Sequence, residues 1–154
     1  VKKVLNLGAG DRIYKGDDVQ VVNHDLRKHR PEIDVAWDLN YIPWPWPDEE
    51  FDMIIASSVF EHLEITLVES FNECWRILKP KGILKVAVPY WKHENAYADP
   101  THRWRFDPKT FDFFDPSTEL GKEYSYYTPY KWEILDRANT IQMSSLLVVL
   151  RKMT

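Results

Sequence analysis

Two periodicities alternate along the 154 residues of this chain. Short apolar runs bounded by turn residues lie at Val1–Leu7, Val19–Val22, Asp34–Trp37, Phe51–Ala56 and Ile83–Val88, and each reads as a strand. The fourth and fifth are continuously apolar, the pattern of strands covered on both faces. The first run stops at Gly8-Ala9-Gly10, and the second closes on Asn23-His24-Asp25. From Thr66 the period changes. Val68, Phe71, Trp75 and Leu78 recur at helical spacing, after a Thr66…Glu69 capping-box pattern and before the stop signal Lys79-Pro80-Lys81-Gly82. Asp107 and Pro108 open a second, short helix through Phe114, as N-cap and first helical residue. Pro43-Trp44-Pro45-Trp46-Pro47 must be a loop, because alternate residues lack an N–H. Trp132–Leu135 and Gln142–Leu150 close the chain as two strands with a turn near Asn139. So short a connection permits only antiparallel pairing.

The elements predict an α/β fold. It has a mostly parallel sheet covered by helices, with one antiparallel strand near the C-terminus. No repeat, low-complexity tract or linker divides the chain, so residues 1–154 are expected to form one domain. Val1 lies almost inside a strand, which raises the expectation of a trimmed or missing N-terminal segment. The apolar stretches are too short to cross a bilayer, so no membrane association is expected. No basic leader with an apolar run opens the sequence. The lone cysteine, Cys74, cannot form an internal disulfide. Together these favour a cytoplasmic setting. Twenty Lys and Arg against 24 Asp and Glu give a net charge of −4, which argues against gripping phosphate backbones as the main task. Aromatics are in surplus at 14%, clustered in Tyr41–Trp46 and Tyr90–Trp104; packing is the plainer reading and a ligand cleft the other.

Candidate chemistry lies where the strands end, because open parallel sheets bind ligands at their carboxyl edge. Gly8 and Gly10 let the backbone turn sharply and approach a ligand. Asp25 ends the second strand, where a carboxylate can accept both hydroxyls of a ribose. Asp38 ends the third, where one can accept from an exocyclic amine. A dinucleotide-binding pattern would want a third glycine where Ile13 stands.

The ordered set Val4-Leu5-Asn6-Leu7-Gly8-Ala9-Gly10, Asn23-His24-Asp25-Leu26 and Trp37-Asp38-Leu39-Asn40 resembles the motifs of class I, Rossmann-like methyltransferases. Trp44-Pro45-Trp46-Pro47-Asp48-Glu49-Glu50-Phe51-Asp52, Ser58-Val59-Phe60-Glu61-His62-Leu63 and Trp75-Arg76-Ile77-Leu78-Lys79-Pro80-Lys81-Gly82 extend the likeness, which is nearest to the type 11 group. The resemblance implies S-adenosylmethionine as cofactor. Gly8 and Gly10 would lie against its methionine part, Asp25 on its ribose, Asp38 and Leu39 at its adenine, and Ser57 through Phe60 beneath its sulfonium. Two departures stand out. Asn6, itself a candidate cofactor contact, replaces the usual acidic residue, and the stretch from Gly10 to Val19 is too short for the usual first helix.

The resemblance also places the acceptor near the loop from Tyr90 to Arg103, with Tyr90, His93, Tyr97 and Arg103 as candidate contacts. Methyl transfer rests largely on in-line positioning, so a general base is needed only if the acceptor must lose a proton. His62 and His102 are the candidates, with a backbone-capping role the alternative for His62. His93, Asp99 and His102 fit no compact zinc spacing, so no metal is expected. The expected activity is methyl transfer to a small-molecule or sugar-like acceptor, with a homo-oligomer or partner chain completing the acceptor site. A cofactor-binding protein without catalysis is the alternative. A nucleic-acid methyltransferase ranks lower, because Ala56-Ser57-Ser58-Val59-Phe60 stands where a Pro-Pro-aromatic motif would be.

Overall fold

A computed structural model describes residues 1–139 and 144–154. Seven strands form one sheet: β1 Lys2–Leu7, β2 Val19–Asp25, β3 Val35–Ala36, β4 Phe51–Ser57, β5 Leu78–Pro89, β6 Trp132–Asn139 and β7 Ser145–Lys152. Their spatial order is β3-β2-β1-β4-β5-β7-β6. The first five pair in parallel, and β7 runs antiparallel to both β5 and β6. One strand therefore opposes the rest, as the short final connection requires. The predicted turn near Asn139 and the start of the last strand at Gln142 fall at or within 140–143, outside the described residues.

Three boundaries differ from the sequence pattern. Asn23, His24 and Asp25 continue β2 rather than closing it, pairing with Asn6, Val35 and Ala36. The buried polar side chains of Asn23 and His24 are tolerated there because they are hydrogen-bonded. Lys79-Pro80-Lys81-Gly82 does end the helix but is already part of β5. Leu78 caps the helix, its N–H donating to the Cys74 carbonyl, and enters the strand without a separate turn. β6 runs to Asn139, past the predicted end at Leu135.

Helix α1, Leu67–Ile77, forms where its periodicity predicts, and the Thr66–Glu69 capping box is present in both directions. Two shorter helices follow, α2 (Asn95–Ala98) and α3 (Glu119–Glu123), with a 3₁₀ segment at Pro108–Phe114 capped by Asp107. No helix among the described residues is long and apolar enough to cross a membrane.

The core lies on one face of the sheet. Phe71 of α1 is its hub, with ring centroids 4.5 Å from Phe114, 5.5 Å from Phe60 and 5.7 Å from Trp132. Ile54, Leu84, Val86, Leu146, Val148 and Leu150 back it from the strands. The opposite face is only half covered, a correction to the expectation of strands buried on both sides. Met53, Ile55 and Ile83 are partly exposed, and Leu147 is 40% exposed. None of the connections β1–β2, β2–β3 and β3–β4 contains a helix; among the parallel crossovers only that from β4 to β5 does.

The Trp-Pro loop is fixed to α1. The Arg76 guanidinium donates to the Trp46 carbonyl at 2.8 Å and to that of Trp44 at 3.1 Å, while the Glu73 carboxylate accepts from the Trp44 N–H. Trp44 and Trp46 are buried, so this part of the aromatic surplus is packing. The Trp44 indole donates to the Leu39 carbonyl at 2.9 Å, which holds the segment after β3 in place.

Candidate functional site

The strand order reverses between β1 and β4, and a crevice opens at the carboxyl ends there, where the topology of an open sheet favours ligands. It holds about 390 Å³ and is lined by Gly8 after β1, Asp25 at the end of β2, Asp38 and Leu39 after β3, and Ser58 and Val59 after β4. Trp37, Asn40, His62 and Thr101 complete its walls. Gly8 has φ +60°, and a Cβ there would stand 2.6 Å from a methyl of Val59, so glycine is required on both counts. Ser58 also has positive φ, +59°, at the bend that carries the chain out of β4. Strain in a non-glycine residue of this kind concentrates at functional sites.

His24, which the sequence pattern left as part of a turn, organises the crevice floor. It is 1% exposed. Its Nδ1 accepts from the Gly8 N–H at 3.1 Å, so Nε2 carries the proton and donates to the Trp37 carbonyl at 2.8 Å. One neutral ring thus joins the ends of β1 and β3 across β2. Burial holds its pKa below the usual value, against opposing pulls from the Trp37 carbonyl and the Asp25 charge. Asp38 accepts from the Asn40 N–H at 2.9 Å, which fixes its carboxylate on the rim.

Of the predicted cofactor residues, Gly8, Asp25, Asp38 and Leu39 meet in this crevice, and four do not line it. Asn6 is buried, and its amide donates to the Arg12 carbonyl at 2.8 Å and to Asn23 Oδ1 at 2.9 Å. Asn23 in turn bonds both backbone groups of Tyr14. The two departures noted in the sequence are one feature: the helix-less connection is tied down by two amides. A carboxylate at position 6 could not donate to either acceptor. Gly10 has φ +55° and offers its carbonyl to His29 Nε2 at 3.2 Å. Ser57 Oγ accepts from Arg12 at 2.6 Å. Phe60 turns into the core against Phe71, because the chain bends at Ser58 and enters a 3₁₀ turn at Phe60–His62. The wall is made by Ser58 and Val59 instead.

A second cavity, about 450 Å³, adjoins the first and shares Ser58 and His62 with it. Arg12, Glu61, Asn95, Asp99 and His102 also line it. The loop after β5 is drawn against this wall. The Arg103 N–H donates to the Glu61 carbonyl at 2.7 Å, and the Trp104 indole donates to that of Leu63, also at 2.7 Å. His62 and His102 come together, with ring centroids 4.7 Å apart. Desolvation, reinforced by His102, lowers the His62 pKa. Glu61 is 1% exposed, and neither carboxylate oxygen has a hydrogen-bond partner. Burial raises its pKa to about 7, assisted by the Asp99 charge.

The predicted acceptor contacts separate. Tyr90 is buried in the core. His93 is absorbed in a turn, its Nδ1 accepting from the Asn95 N–H. Tyr97 is 55% exposed and packs its ring under Arg105. Arg103 pairs with Glu64 at 3.0 Å beside a third cavity, about 500 Å³, that also reaches His62 and His102. Another cavity of about 450 Å³ lies by Trp75, Arg76 and Lys152, at the amino ends of β4 and β5, the edge where open sheets do not place ligands.

Comparison with known proteins agrees with this fold. A chain of the Haloferax volcanii complex between the Trm112 methyltransferase activator and a methyltransferase superposes with a TM-score of 0.70 at 13% identity, over 99% of this chain and 83% of that one. An S-adenosylmethionine-dependent methyltransferase from Archaeoglobus fulgidus gives 0.67 at 16% identity, over 98% and 86%. The [4+2]-cyclase SpnF gives 0.66 at 14% identity, over 99% and 75%, so the fold is shared with a protein named for a different reaction. A search of curated protein sequences found no match. The family model described as a methyltransferase domain, type 11, matches residues 7–86, more than half the chain. The chain belongs to that methyltransferase-domain family.

Proposed function

We propose that this protein transfers a methyl group from S-adenosylmethionine to a small-molecule acceptor held in the cavity beside the cofactor crevice. The observation that carries the reading is the meeting of Gly8, Asp25 and Asp38 in one crevice at the reversal point of the sheet, next to a second cavity across Ser58 and His62. Asp25 accepts the ribose hydroxyls, Asp38 and Leu39 bound the adenine, and the Gly8 backbone approaches the methionine part. The cofactor brings an already activated methyl group, which leaves the protein the work of alignment and exclusion of water. His62 stands on the wall between the two cavities, where it can touch the acceptor.

Titration calorimetry with S-adenosylhomocysteine and, separately, NAD tests the cofactor assignment. Binding of the first alone is expected. Asp25→Ala should weaken it 10- to 100-fold, since charged hydrogen bonds of this kind contribute about 1.5–3 kcal/mol. Binding of NAD, or equal affinity in Asp25→Ala, overturns the reading.

A further inference from the structure

Glu61, His62 and His102 form a cluster that methyl transfer by alignment alone does not require. One ligand-capable atom of each lies within 4.8 Å of the other two, and among the described residues this is the one such group of three. Ligands of a tetrahedral ion with bonds of about 2.1 Å stand roughly 3.4 Å apart, so small side-chain rotations close the set. Two further observations point to a missing partner. The Glu61 carboxylate is buried with both oxygens unpartnered, and His102 Nδ1 is buried without a partner. Such groups are costly to keep unless something satisfies them.

The surroundings fix which ring nitrogens are free. Thr101 Oγ1 donates its single proton to Asp99 Oδ1 at 2.7 Å. It can then only accept from His62 Nδ1, 2.8 Å away, which leaves the His62 Nε2 lone pair available. The other Asp99 oxygen lies 3.7 Å from His102 Nε2, and Nδ1 of that ring is the nitrogen without a partner. Asp99 thus orients the His62 imidazole through Thr101 and stands at ion-pair distance from that of His102. A carboxylate behind a histidine in this way is the usual outer support of a metal ligand.

We infer that Glu61, His62 and His102 bind a divalent transition-metal ion, zinc in the first instance, in a two-histidine, one-carboxylate site on the wall of the second cavity. Three protein ligands leave at least one position open. On the methyl-transfer reading, that position would select an acceptor carrying an oxygen donor. That selection rests on the proposed function; the ion site does not.

The test is metal titration of chelator-treated full chain without any S-adenosyl compound. Cobalt(II), used as a probe for zinc, should bind one per chain with visible ligand-field absorption, and zinc should displace it. His102→Gln should abolish the band. Asp99→Asn, which leaves the ligands in place, should weaken affinity 10- to 100-fold. Circular dichroism melting confirms folded variants, and His62→Gln serves if His102→Gln does not fold. Acetohydroxamate, an oxygen chelator, should shift the band if a position is open. An unchanged wild-type spectrum, or equal binding by the glutamine variant, overturns the ion site. An unmoved band with acetohydroxamate overturns the open position alone. Failure of S-adenosylhomocysteine binding would leave these results intact, so the two readings fail separately.

Discussion

At His24, a single buried ring joins two strand ends that have no direct pairing with each other. Its neutral form supplies one acceptor to Gly8 and one donor to Trp37, and protonation would destroy the first of these bonds. The folded-state pKa lies below the ordinary 6.5. Between those two values the unfolded chain binds the proton and the folded chain does not. Stability therefore rises with pH across that window, is complete above about 6.5, and is lost as pH falls below it. His24→Asn should cost about 1–3 kcal/mol near pH 7.5, the range for orphaned buried hydrogen-bonding groups. The gap from the natural protein should narrow below pH 6.5, read from urea midpoints at several pH values. A constant gap would show that His24 does not titrate on unfolding. The role was hard to foresee because Asn23-His24-Asp25 has the composition of a turn, and only the burial of β2 turns its polar groups into ties. Asp25 and Asp38 were legible for the opposite reason. Their position at strand ends is set by chain order alone, whereas the fate of Phe60 depended on one positive-φ residue before it.

Among the elements, α1 is the one whose sequence states its own limits. Thr66 accepts from the Glu69 N–H at 3.1 Å, and the Glu69 carboxylate returns to the Thr66 N–H at 2.8 Å. The same helix carries Glu73 and Arg76, which hold the Trp-Pro loop, and that loop's Trp44 holds Leu39 beside the crevice. Capping is thereby connected to the site through packing. Thr66→Ala should cost about 1 kcal/mol, within the range for loss of an N-cap hydroxyl. Glu69→Ala in that background should cost less than it does alone, because the two bonds share one pair. Chemical denaturation of the two single variants and the double variant measures this directly, and strictly additive losses would contradict a reciprocal box. The loop after β5 was the least readable element. It contains no periodic stretch, and its tertiary ties run to Glu61, Leu63 and Glu64, more than 35 positions back along the chain.

For the molecule as a whole, one side of the sheet is fully covered and the other only in part. Continuous apolar runs in β4 and β5 suggested cover on both, the pattern in sheets whose every crossover is a helix. Here only the crossover from β4 to β5 carries an α-helix; the first is a loop tied by Asn6 and Asn23, and apolar residues such as Met53 and Ile55 stay half open. Adjacent residues of β7 provide a controlled comparison, since alternation sends them to opposite faces. Leu146 is 1% exposed against the aromatic core, while Leu147 is 40% exposed on the other side. Leu146→Ala should lose about 2–5 kcal/mol, through both transfer and cavity terms. Leu147→Ala should stay within about 0.5 kcal/mol, as surface substitutions do. Equal and large losses in urea denaturation would mean that the second face is buried in solution, and that the isolated chain is not the unit that folds.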